Sequence, residues 1–260
     1  MFNASLFKIY LVGFIPLFFI ALVTWLISLW KRDVSIVDSL WSVFFLAAAI
    51  SFAIKLPFLG PRGIILLTLL GFWATRLSTY ITWRNWGHPE DSRYQTIRQN
   101  NEPSFAWKSL YLVFILQALL AWIISVPLLV ILASPTPLQW IDFLGMAIML
   151  FGFSFESVAD WQLARFKAKP ENKGSVMDHG LWRYTRHPNY FGEFCVWWGF
   201  FLLAIASGAW VTIISPLIMS FLLLKVSGVP MLEKDIIQRR PTYGDYASRT
   251  NSFFPGLPKP

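Results

Sequence analysis

Residues 6–32 read LFKIYLVGFIPLFFIALVTWLISLWKR. Apart from Lys8 the run carries no charge until Lys31 and Arg32 close it. A helix needs about 20 predominantly apolar residues to cross the hydrocarbon core of a bilayer. A basic pair directly behind such a run is a stop-transfer pattern, and the run exceeds the ~7–15 apolar residues of a cleaved leader. It is therefore expected to be a transmembrane helix. Comparable runs recur at 35–54, 63–83, 110–133, 138–163, 189–207 and 209–229. The sixth is short and opens on polar residues. The expected fold is all-α: one polytopic integral membrane domain over residues 1–260 with seven transmembrane helices.

Composition agrees. Of the 260 residues 56% are hydrophobic and only 14% charged, against about 25% charged in soluble domains. So few polar groups could not cover the surface of a water-soluble enzyme. Mean hydropathy is +0.53, which excludes disorder. Cys195 stands alone, so there is no intrachain disulfide framework, and the chain lacks the ligand spacing of a metal cluster. The net charge of +8 sits in short segments between apolar runs. That pattern points to topology and anionic lipid, not to nucleic acid.

Lys and Arg also set the orientation. Segments after the first, third, fifth and seventh runs hold nearly all of them, whereas the opposite turns hold only Lys55 and Arg62. The positive-inside rule then puts the N-terminus outside and the C-terminus in the cytoplasm. Residues 84–108, 165–188 and 230–260 share the cytoplasmic face. The other face has almost no polar residues. Such asymmetry favours a site taking one ligand from the cytosol and another from the membrane.

The richest stretch is Gly180-Leu181-Trp182-Arg183-Tyr184-Thr185-Arg186-His187-Pro188-Asn189-Tyr190-Phe191-Gly192-Glu193. Pro188 suits a first helical turn, and His187 before it is pushed to an extended conformation. Arg183, Arg186 and His187 are thus expected beside a helix N-terminus, which favours anions. Asn189 and Glu193, four apart, share one helix face, as do Glu156 and Asp160 in the fifth run. Carboxylates at a membrane centre cost about 2.5–3.5 kcal/mol each, so these should face the bundle interior. Arg165 and Lys167 follow on the exit turn. Arg76 in the third run needs a partner, with Asp38 and Glu193 the expected candidates. Beyond it lie Trp83-Arg84-Asn85-Trp86-Gly87 and Glu90-Asp91-Ser92-Arg93-Tyr94, read as nucleotide contacts or as a structural lid. The tail, residues 232–250, reads as a short amphipathic helix, a turn at Pro241 and a second short helix. There is no Gly-x-Gly-x-x-Gly fingerprint, no Walker A motif and no His-Glu-x-x-His. Three histidines cannot form a histidine-box oxygenase.

Residues 181–193 resemble the C-terminal signature of the membrane steroid 5-alpha-reductase family. Asp160-Trp161-Gln162-Leu163-Ala164-Arg165-Phe166 and Trp83-Arg84-Asn85-Trp86-Gly87 fit the same family, and the likeness is strongest to its bacterial members, located in the inner membrane. Sterol reductases and isoprenylcysteine carboxyl methyltransferases carry similar His-Pro-x-Tyr runs. The resemblance implies seven helices, NADPH from the cytosol, and an apolar 3-oxo-4-ene steroid or similar lipid entering from the bilayer. It carries cofactor contacts onto Asp160, Asn189 and Glu193, with Glu156 standing where the animal enzymes have Asn. It puts Asp38 and Trp73 at the substrate carbonyl, with Tyr80 as a substitute for Trp73. The remaining cofactor-binding candidates are Arg76, Arg84, Asn85, Asp91, Arg93, Tyr94, Arg165, Arg183, Tyr184, Arg186, His187, Tyr190, Arg240, Tyr243, Tyr246 and Arg249. An S-adenosylmethionine-dependent lipid or isoprenoid methyltransferase and a non-enzymatic lipid-binding protein are the alternatives.

Overall fold

The computed structural model describes residues 3–226, 228, 229, 233, 236, 240 and 242–259. The described regular elements are helices: α1 (Ala4–Lys31), α2 (Ser35–Lys55), α3 (Pro61–Asn85), α4 (Ser92–Gln99), α5 (Phe105–Ile124), α6 (Val126–Ala133), α7 (Trp140–Lys167), α8 (Pro188–Ile205), α9 (Trp210–Val226) and α10 (Tyr243–Arg249). Five of them, α1, α2, α3, α5 and α7, are long and apolar enough to cross a membrane. Helices also stand at the sixth and seventh expected positions. There α8 opens on Asn189 and Glu193, and α9 is shorter than the other five. Length and composition thus carry five spans of the seven expected.

Surface composition agrees with the reading from length. On α1, Phe7, Leu11, Ile15, Phe19, Val23, Leu26 and Trp30 are all exposed. Their spacing of three and four residues makes one helix face. A continuous apolar face of this size is costly in water and is compatible with an integral membrane protein.

The residues form two compact units, Met1–Asp142 with Leu203–Ser215, and Phe143–Leu202 with Pro216–Pro260. In the first, α2 and α3 pack along one another. Phe44, Phe45, Ala48, Ala49 and Phe52 of α2 and the stripe Leu66, Leu70, Trp73, Ala74 and Leu77 of α3 are all buried, the Phe45 and Trp73 rings 6.2 Å apart. The Ser42 hydroxyl donates to the Ala74 carbonyl at 2.9 Å and fixes their register. Gly13 interrupts α1 where a Cβ would run into the Phe52 ring. Tyr10 and Trp122 join α1 to α5 reciprocally. Each donates to the other's carbonyl, at 3.1 and 2.8 Å, and their rings stack at 4.4 Å.

Arg62, expected to be a loop charge, is fully buried, as is Asp142. Its Nε and Nη2 reach the two carboxylate oxygens at 2.6 and 2.7 Å. Nη1 donates to the Ser134 and Thr136 hydroxyls, both at 2.7 Å, and Nη2 to the Pro137 carbonyl at 3.1 Å. The planar guanidinium thereby gathers the 134–137 turn around the start of α3, Pro61 supplying the first helical turn.

In the second unit the contact between α7 and α8 is built on glycine. A Cβ at Gly152 would lie 2.5 Å from the Gly192 carbonyl oxygen, and one at Gly192 would lie 2.6 Å from the Gly152 carbonyl oxygen and the Glu156 backbone nitrogen. One heptad along, a Cβ at Gly199 would meet the Gly145 carbonyl oxygen at 2.8 Å. Small residues at this spacing let two backbones approach closely, the usual device where lipid supplies no hydrophobic drive between helices.

Gly192→Val is expected to destabilise the fold by about 1–3 kcal/mol or more through overpacking, seen as a lowered thermal midpoint in detergent. Gly71→Ala, where a Cβ meets nothing within 4 Å, should be neutral or slightly stabilising. Arg62→Met strands a buried carboxylate and should cost about 3–5 kcal/mol in the same measurement.

Candidate functional site

The glycine contact of α7 and α8 sets a cluster of polar side chains among apolar ones. Glu156, Asp160 and Glu193 are 2%, 3% and 7% exposed. The Asn189 amide donates to Asp160 Oδ1 at 3.3 Å, so the expected pairs on the two helices meet. The Gln162 amide oxygen accepts the Leu181 N–H at 2.9 Å, and Trp182 Nε1 donates to the Ala159 carbonyl at 3.1 Å. These two bonds fasten the 180–183 turn to α7 and so fix where α8 begins.

At the start of α8 the structure differs from the sequence expectation. Arg186 and His187 do flank the helix N-terminus, but the chain's own Glu233 engages both. Arg186 Nε and Nη2 reach the Glu233 carboxylate at 2.7 and 3.1 Å, and His187 Nε2 lies 3.0 Å from Oε1. Arg186 Nη1 also donates to the Ala247 and Thr250 carbonyls, at 2.7 and 2.8 Å. Thr185, fully buried, donates to the Phe253 carbonyl at 2.7 Å. Tyr246 donates to the Trp182 carbonyl at 2.5 Å, and Arg249 pairs with Asp178 at 3.0 Å. Arg240 donates to the Ser175 carbonyl. Arg186, Arg240, Tyr246 and Arg249 are thus used to dock the tail onto residues 175–187, while Tyr243 donates to Glu233 at 3.4 Å. The second short helix of the tail is present as α10; most of the amphipathic helix expected before Pro241 lies outside the described residues.

Burial alone would raise the Glu233 carboxyl. The hydrogen bonds from His187 and Arg186, with the Arg186 charge, outweigh it and lower its pKa to about 2. Burial likewise works against Arg186, but the Glu233 bonds hold its pKa above the ordinary value. Burial and then the Glu233 charge push Tyr243 up, leaving it a neutral phenol. Arg183 and Tyr184 are exposed, and Arg165 stacks on the Trp161 ring at 4.9 Å. The Tyr190 ring lies parallel to His187, centroids 5.8 Å apart.

The first unit carries a second polar cluster. Asp38, on the turn that opens α2, takes Arg93 Nη2 at 2.6 Å and the Tyr94 hydroxyl at 2.5 Å. The Gln117 amide donates to Tyr94 Oη at 3.1 Å. The partner expected for Asp38 from sequence was Arg76; α4 supplies Arg93 instead, because the 90–94 segment folds back onto the start of α2. Asp91 caps α4, accepting the Arg93 N–H at 3.0 Å and Nε at 2.9 Å. Burial would raise Asp91, but those bonds and the charges of Arg93 and Arg84 lower it. Burial first, then the Asp38 charge, pushes Tyr94 well above its ordinary value. Glu90 takes the Val34 N–H at 2.8 Å and Arg98 Nη2 at 2.8 Å. The 90–98 segment is therefore tied down by ion pairs. Arg76 and Arg84, one turn before and after Tyr80, lie over its ring at 5.5 and 5.8 Å, and Arg84 Nε donates to Asn85 at 3.1 Å. Trp73 is fully buried, 6.2 Å from Phe45, a core packing position.

Sequence reasoning missed Glu233, Gln117 and the Arg62–Asp142 pair. Each is a long-range partner, and no local pattern announces it.

Residues 24–250 match the family model described as protein of unknown function DUF1295, and the chain belongs to that family. It is similar to an uncharacterized protein of Schizosaccharomyces pombe, 26% identical over 291 residues, covering 95% of this chain and 80% of the relative. No solved structure matches it significantly.

Because the Glu233 carboxyl is depressed in the folded chain, its stabilisation is complete above the ordinary value of 4.5 and is lost as pH falls toward 2. Tail docking, followed by limited pepsin digestion, should hold down to about pH 4.5 and weaken below it. Glu233→Gln should loosen the tail at neutral pH by about 1.5–3 kcal/mol, the worth of hydrogen bonds to a charged group.

Proposed function

Starting from membership of a family whose description assigns no activity, we propose that the chain is an NADPH-dependent reductase of the C4–C5 double bond of a 3-oxo-4-ene steroid or similar lipid enone. The reading includes a seven-span topology with the N-terminus outside and the C-terminus cytoplasmic. The observation that carries it is the Asp160–Asn189 pair with Glu156 and Glu193, four polar groups set into apolar helices. Groups so costly to place among apolar helices mark functional sites by default. They also stand on residues where the likeness to the steroid 5-alpha-reductases puts cofactor contacts.

The residues fit an anionic dinucleotide. Asn189 and Asp160 offer an amide and a carboxylate for polar cofactor groups, and the exposed Arg183 and Arg165 offer cations for phosphates. Arg186 and His187 are engaged by Glu233 and serve by holding the tail in place. NADPH, when bound, supplies the hydride. The chain must hold the enone's beta carbon close to the donor and exclude water. It must also stabilise the negative charge that develops on the carbonyl oxygen. The alpha carbon then takes a proton, so that one hydride and one proton are added across the double bond.

In a thermal-shift titration of the detergent-solubilised protein, NADPH should raise the midpoint more than NADH or S-adenosylmethionine. A ligand at 100 times its Kd stabilises by about 2.7 kcal/mol. Asn189→Ala and Asp160→Ala should fold and weaken NADPH binding about tenfold or more. A larger shift with S-adenosylmethionine would replace the reading with a methyltransferase. No shift with any of the three would leave a lipid-binding protein.

A further inference from the structure

One face of α3 is exposed and has an unusual composition. Ile64, Thr68, Phe72, Thr75, Thr79, Thr82 and Trp86 follow one another at three- and four-residue steps, and all are exposed. Phe72 is 68% exposed and Trp86 is 74%. Near its end the face deepens into a groove of about 510 Å³, lined by Ser78, Thr79, Thr82, Trp83 and Trp86. The Thr82 hydroxyl returns to the Ser78 carbonyl at 2.8 Å. At the rim the Lys31 ammonium lies over the Trp86 ring, 5.4 Å from its centroid.

Each part has a physical reading. Two exposed indoles at a helix end belong at a headgroup boundary. A lysine held over an indole keeps its charge available to an anion on its outer side. Hydroxyls one turn deeper can donate to ester carbonyls. From Thr79 to Ile64 the face, with Phe72 and Ile64 set between threonines, runs about 22 Å at 1.5 Å per residue, more than the roughly 15 Å depth of one leaflet. The order is the Lys31 cation, the Trp86 and Trp83 indoles, the Ser78 and Thr79 hydroxyls, then Phe72 and Ile64 with threonine methyls between them. An anionic glycerophospholipid has phosphate, glycerol esters and acyl chain in that order.

We propose that this groove is a specific site for an anionic glycerophospholipid. Its phosphate sits at Lys31 beside Trp86, its ester groups meet the Ser78 and Thr79 hydroxyls, and one acyl chain lies along Thr75, Phe72 and Ile64. The site does not depend on the reductase reading, which is carried by Glu156, Asp160, Asn189 and Glu193, although Trp83 and Trp86 belong to the 83–87 run that the family resemblance includes. Net charge decides the occupant: a zwitterionic lipid brings its own cation beside the phosphate, where it competes with Lys31, and a second copy of the chain would set Lys31 against another basic helix end.

Native mass spectrometry of the full chain, delipidated and then titrated with phosphatidylglycerol or phosphatidylcholine, tests it. Phosphatidylglycerol should bind about fivefold more tightly, the size of one lysine's attraction to anionic lipid. Lys31→Gln should abolish that preference, Lys8→Gln should leave it intact, and Trp86→Leu should weaken binding of both lipids. Equal retention of the two lipids by the unaltered chain overturns the proposal. So does a preference that survives Lys31→Gln, or one lost equally in Lys8→Gln. A dimer mass that replaces the lipid adduct would assign the face to a second copy and overturn it as well.

Discussion

The approach of α7 to α8 at Gly152 and Gly192 is the constraint on which the second unit depends. Neither position has room for a methyl group. Because the backbones touch there, Asp160 and Asn189, close along the same helices, come within hydrogen-bonding range. A side chain at either glycine would push the helices apart and separate that pair. The Gln162 and Trp182 bonds then fix the turn before α8, so that His187 and Pro188 enter the helix at one angle. A glycine contact, which contributes little burial, thus determines where the costliest polar groups stand.

A second constraint is electrical. The start of α8 offers unsatisfied N–H groups, an arginine and a histidine, a combination that attracts an anion. The chain satisfies it with Glu233, and the tail follows from that choice. Thr185, Arg186 and Trp182 all bond to tail backbone or side chains, so the carboxylate is one stitch in a seam. The depressed Glu233 pKa reflects the same arrangement: two donors outweigh the burial that opposes them.

Much of the helical architecture was legible because each apolar run is long and flanked by breakers or charges, as with the 6–30 run ended by Lys31 and Arg32. The sequence reading counted both the sixth run, short and opening on polar residues, and the seventh as spans. Yet Asn189 and Glu193 make α8 amphipathic at its start, and α9 is shorter than the others. The shared faces were legible too, since four-residue spacing puts Glu156 with Asp160 and Asn189 with Glu193; the bond from Asn189 to Asp160 between the two helices was not. Nor was pairing between distant segments. Asp38 lies 55 residues from Arg93, and sequence spacing favoured Arg76, which shares a helix face with Tyr80 instead. Arg62 looked like a stray loop charge because nothing near it in sequence shows that Asp142, 80 residues on, turns back to meet it.

The Asp38 geometry restricts what that residue can do. Both carboxylate oxygens are occupied, Oδ2 by the Arg93 guanidinium and Oδ1 by the Tyr94 hydroxyl. Asp38 is therefore built as an acceptor. In the proposed reduction it can orient a neighbouring phenol or guanidinium, but polarising a carbonyl by donation would first require breaking its pair with Arg93. Tyr94 is limited in a complementary way. Its proton is directed at Asp38 and its oxygen already accepts from Gln117, so the hydroxyl must reorient before it can serve another acceptor. The carbonyl-polarising donor in that reaction must therefore be a group whose proton is not already spent within the Asp38, Arg93 and Tyr94 network.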